Sequence, residues 1–126
     1  MIVKVIGSGV DDTPAPTNPK RYTALLTQTG TNNPTQVILE NTTGKTFTWT
    51  YSLLGAYVCN SATLPANKYT MLLGSNFKNT NNSAFLVIAS DNLFAIRTVI
   101  TSNSGGASVI SNDILVNTMF EVLIYD

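Results

Sequence analysis

Apart from the terminal Asp126, four carboxylates stand alone in the chain: Glu40, Asp91, Asp113 and Glu121. Two such groups a few ångström apart across a cleft can hydrolyse a glycoside, one as acid with a raised pKa, the other as base or nucleophile. Glu40 and Asp113 each adjoin an asparagine at a turn-like position. There a carboxylate commonly bonds local backbone amides instead. The turn role is therefore the expectation, and glycan hydrolysis through Glu40 or Asp113 its competitor. Other chemistry is thinly provided. Histidine is absent, which removes Ser-His-Asp and Cys-His arrangements and the commonest metal ligand. Structural zinc needs several Cys or His. Asp11-Asp12 and Asp91-Asn92 are too sparse for a calcium site. Gly7-Ser8-Gly9 and Gly105-Gly106 lack the rest of a phosphate-binding loop. Cys59, the single cysteine, can form no internal disulfide and reads as a small buried hydrophobe. No catalytic residue, metal or cofactor is expected.

Aromatic rings are the second kind of chemistry on offer. Thr46-Phe47-Thr48-Trp49-Thr50-Tyr51 alternates three threonines with three aromatics. Strand side chains alternate between faces, so a strand here gathers Phe47, Trp49 and Tyr51 on one side. That side is expected to be the core. If exposed, Trp49, Tyr51 and Tyr57 would form a stacking platform for a surface glycan.

The elements that must position these groups are short. The 126 residues suit one domain. Only 11% are charged, and Ser, Thr and Asn fill about a third of the chain, which suits strands and turns. Seven basic and seven acidic residues cancel. No basic stripe for nucleic acid is visible, and no apolar run is long enough to span a bilayer. The N-terminus lacks the features of a secretory signal. The sequons at Asn41 and Asn81 are accordingly read as turns.

Residues 1–20 carry an apolar start (Ile2, Val3, Val5, Ile6) followed by glycines and the prolines Pro14, Pro16 and Pro19. They read as an extended arm, either a frayed terminus or an anchor that orders on a partner surface. Residues 21–126 read as a sandwich or jelly-roll of about eight strands, because turn signals recur every 8–12 residues. The strand 36–40 is expected to pair with the aromatic strand across the turn at Asn41–Gly44. Segments 84–89 and 93–101 are apolar at both parities and are expected to be covered on both faces. Leu86, Ile88, Phe94, Ile96, Arg97, Leu123 and Tyr125 are the candidate subunit interface, with Arg97 either ion-paired, as across a subunit boundary, or pointing outward at an edge. Residues 110–116 are the best place for a helical turn.

Two blocks carry a family resemblance. Residues 22–44 read YTALLTQTGTNNPTQVILENTTG and residues 112–125 read NDILVNTMFEVLIY. Both resemble small β-domains encoded by bacteriophages and prophages, with Ile38 and Leu123 as departures from the family pattern. The resemblance implies association with a virion as a non-enzymatic fibre, spike or capsid-decoration subunit. It also implies a homo-oligomer, typically a trimer.

Overall fold

The computed structural model describes residues 18–101 and 108–125. The candidate anchor residues Ile2, Val3, Val5 and Ile6 and the Gly105-Gly106 loop lie outside them. Among the described residues nine strands run in order: β1 Lys20–Thr27, β2 Thr35–Asn41, β3 Trp49–Leu53, β4 Ala56–Cys59, β5 Tyr69–Leu73, β6 Asn82–Ser90, β7 Leu93–Ile100, β8 Val109–Ile110 and β9 Thr118–Ile124. They form two antiparallel sheets. Sheet A has the order β2-β1-β9-β5; sheet B has β3-β4-β7-β6, with β8 also on β7. The protein is all-β, as its alternating patterns predict, and no helical turn forms at 110–116.

The core lies between the sheets, and the period of two assigns it. From sheet A, Tyr22, Ala24 and Leu26 of β1 face Phe120, Val122 and Ile124 of β9. From sheet B come Trp49, Tyr57, Cys59, Phe94 and Ile96. Phe47, Ala62, Leu64 and Leu115 close the rim from loops. The rings interlock: Phe120 stacks on Phe94 at 5.9 Å and meets Trp49 edge-on at 4.9 Å. These are favoured aromatic geometries, contributing about 0.5–1.5 kcal/mol each beyond buried area.

One expected pairing is wrong. β2 pairs with β1, in register Leu25 to Val37, and not with the aromatic strand. The turn after β2 instead carries the chain across to sheet B. Asn41 organises it: its Oδ1 accepts from the backbone N–H and the hydroxyl of Thr43, and its Nδ2 donates to the Lys45 carbonyl at 2.8 Å. Gly44 follows at φ +74°, a conformation only glycine adopts without cost. Phe47 stays outside any ladder yet is buried, and β3 begins at Trp49. The alternation itself holds, because Thr46 and Thr48 are exposed.

Tyr22 shows what such packing does to a titratable group. Its ring stacks on Phe47 at 4.0 Å. Its hydroxyl donates to Gln36 Oε1 and accepts from Trp49 Nε1–H at 3.3 Å. Burial pushes its pKa up to about 12. The unfolded phenol ionises near 10, so above that pH the unfolded chain gives up a proton that the folded chain keeps. Stability from this group is complete below pH 10 and declines as pH rises towards 12, by roughly 2–3 kcal/mol. Urea denaturation at stepped pH should show that decline, and Tyr22→Phe should make it shallower. An unchanged slope in the variant would exclude Tyr22 as its source.

Candidate functional site

The four acidic groups Glu40, Asp91, Asp113 and Glu121 all have structural partners. Asp113, at φ +64° after β8, accepts from the Gly30 backbone N–H at 2.6 Å. Glu40 is registered with Thr23, near the opposite end of β1. Some seven residues separate those two levels, roughly 20 Å of extended chain. Hydrolytic carboxylate pairs stand about 5–10 Å apart, so Glu40 and Asp113 do not form one. Glu40 and Glu121 do approach each other, on the outer face of sheet A. Arg21 lies between them, at 3.6 Å from Glu40 and 3.3 Å from Glu121. Thr23 Oγ1 donates to Glu121 at 2.9 Å. Tyr69 donates to Asp91 at 3.1 Å.

A buried polar cluster ties the end of β1 to sheet B. Gln28, 1% exposed, accepts at Oε1 from the Asp113 N–H at 3.0 Å. Its Nε2 donates to the Gly30 and Asn32 carbonyls. Tyr57 Oη lies 2.8 Å from Gln28 Oε1 and 3.1 Å from Asn112 Oδ1, and Thr98 Oγ1 donates to it at 3.4 Å. Asn112 Oδ1 also accepts from the Gly55 N–H at 2.8 Å. Gln28 and Asn112 bond the backbone of turns, and Tyr57 and Thr98 tie them to sheet B, so the cluster holds loops on the sandwich. Burial raises the Tyr57 phenol and the Cys59 thiol above their ordinary pKa values. That keeps Cys59 a thiol, the poor nucleophile of the pair of forms.

The aromatic platform is not at the surface. Trp49 is 3% exposed and Tyr57 is fully buried, while Tyr51 is half-buried against the core. Stacking on a sugar needs an open ring face, and Trp49 and Tyr57 have spent theirs on Phe94, Phe120 and the inter-sheet core. The interface candidates divide by parity. Phe94 and Ile96 are fully buried within their own sandwich and cannot meet a neighbour. Leu86 packs partly against the core. Ile88 and Tyr125 are exposed, and Arg97 and Leu123 are half-buried on outer faces. The expectation that 84–89 and 93–101 are covered on both sides therefore fails within one copy: their second face is left open.

That outer face is half-buried to exposed along its length, save Ala56 at 5%. Across sheet B, Thr50, Val58, Ala95 and Val87 line up in register. Beside them run Leu53, Ala56, Arg97 and Phe85, then Ile110, Val99 and Ser83. Phe85, Val87, Leu53 and Ile110 are all exposed. Sheet A adds Val37, Ile38 and Leu39 on its edge strand β2 and Leu72 on β5. The sequence carried a signal for β2, three successive apolar residues in a strand that buries neither face. Nothing in it marked Arg21 and Glu121 as partners, because they are 100 positions apart.

Two concavities, at Ser75–Asn82 and around Leu64 and Ile124, lie away from the open face of sheet B. One, 820 Å³, is formed by the loop before β6 and includes Asn76, Lys78 and Thr80. Among the described residues no three His, Cys, Asp or Glu side chains cluster as metal ligands, and no helix is long and apolar enough to cross a membrane. No family model, curated protein or solved structure matches this chain. The chain is an all-β protein of two antiparallel sheets.

Proposed function

We propose that this chain is a non-enzymatic structural subunit of a bacteriophage virion, a fibre, spike or capsid-decoration component that acts by assembling with copies of itself and with other particle proteins. The observation that carries the assembly half is the open, register-aligned apolar face of sheet B. Contiguous exposed apolar surface on a small domain marks an interaction site, and Phe85, Val87, Leu53 and Ile110 are exposed on this one. The virion half is carried by the two sequence blocks at 22–44 and 112–125. Both fit a neutral, Ser/Thr/Asn-rich β-domain.

The test is copurification. Particles released from lysed source cells and banded on a density gradient should contain the chain in fixed stoichiometry with the major capsid protein, read by quantitative mass spectrometry. A version lacking residues 1–17, which leaves β1 intact, should fold and fail to join the particles. Recovery of the full chain only in the particle-free fractions would refute virion association. Full incorporation of the truncated version would refute the anchor.

A further inference from the structure

The five strands of sheet B contain one charged residue, Arg97. It sits mid-face, opposite Phe85 on one side and Ala56 on the other. Among the described residues it makes no ion pair, and its buried Nε has no hydrogen-bond partner. A partly desolvated guanidinium in an apolar field gains most from a carboxylate brought up to it.

Sheet A has the opposite imbalance. Its outer face holds two carboxylates, Glu40 and Glu121, around one guanidinium, Arg21. Glu121 is largely covered and already accepts from Thr23, whereas the Glu40 side chain is 45% exposed. Leu25, Val37, Met119 and Leu123 share that face. One outer face is thus apolar with a surplus cation, and the other apolar with a surplus anion.

We propose that the outer face of sheet B in one copy packs on the outer face of sheet A in the next, with Arg97 meeting Glu40 of that neighbour. This contact rests on the assembly reading above and specifies its geometry. Charge chooses it over the symmetric alternatives. Sheet B against sheet B would put two unpaired Arg97 guanidinium groups into one apolar interface. Sheet A against sheet A would join two faces of net negative charge. A contact between two different patches is heterologous: it repeats from copy to copy, closing into a ring, of which three members is one case, or continuing as a filament.

Charge reversal tests it, read by sedimentation velocity on the full chain, with circular dichroism to confirm folding. Arg97→Glu and Glu40→Lys should each weaken self-association about 30-fold or more, the order expected when one side of an interfacial charge pair is reversed. An equimolar mixture of the two should regain assembly, because the reversed face of each matches the reversed face of the other. If either reversal unfolds the chain, Arg97→Gln and Glu40→Gln replace them. The chain carrying both neutral changes should then be no weaker than either single variant. Association of Glu40→Lys at wild-type strength, an inactive mixture, or additive neutral variants would overturn the contact while leaving assembly intact. A wild-type chain that is monomeric at every concentration would overturn both.

Discussion

Truncating Phe120 to Ala lowers stability by about 3–5 kcal/mol, the range for losing a buried aromatic together with the cavity left behind. Phe120 is where the two sheets meet. It is fully buried on β9, stacks on Phe94 of β7 at 5.9 Å, meets Trp49 of β3 at 4.9 Å and tilts against Tyr22 of β1 at 6.1 Å. Its neighbours belong to three different strands and cannot all move inward to fill the gap. Guanidinium denaturation measures the loss. The internal control is Phe85→Ala, the same truncation on the open face of sheet B, where the ring is 51% exposed. In the monomer that change should stay within about 0.5 kcal/mol of wild type, as surface substitutions usually do. Equal losses at the two positions would mean that the sandwich core is misplaced.

Gly55→Ala carries the second large effect, about 2–5 kcal/mol. The turn between β3 and β4 sets Gly55 at φ +64°, and a Cβ there would lie 2.8 Å from the Thr98 carbonyl oxygen and 2.4 Å from Ile110 Cγ2. The left-handed conformation costs an L-residue about 1–2 kcal/mol, and forcing a methyl into packed space adds about 1–3 kcal/mol. The backbone cannot withdraw freely, because the Gly55 carbonyl accepts from the Thr98 N–H at 2.9 Å and its own N–H bonds Asn112. Gly44→Ala separates the two contributions. Gly44 has φ +74° with nothing within 4 Å of the added carbon, so only the conformational part is lost. Thermal unfolding of the pair should place Gly55→Ala well below Gly44→Ala. Indistinguishable midpoints would mean that β8 does not pack on the β3–β4 turn.

The strands were legible wherever a period of two met a buried face. Phe120, Val122 and Ile124 alternate with half-buried residues and are at most 2% exposed, and the aromatic run behaves alike. Asp91-Asn92 joins a hairpin, and Pro65–Asn67 makes a turn with Asn67 at φ +61°, because turn chemistry is local. Which strand pairs with which was not legible. A turn such as Asn41–Gly44 has the same residues whether it closes a hairpin or crosses between sheets, and long-range burial decides. Parity also could not say what covers an apolar face. In β7, Phe94 and Ile96 are buried inside one copy while Arg97 is left on the outside, although all three stand in one apolar run. The glycan platform failed for the same reason: rings that could stack on a sugar stack equally well on each other.

Light scattering after size exclusion, over a dilution series of the full chain, shows directly whether the open faces of this sandwich meet other copies. The mass should be a multiple of the 13.5 kDa chain at high concentration and fall towards it on dilution. A constant mass of one chain at every concentration would mean that these faces do not bind one another.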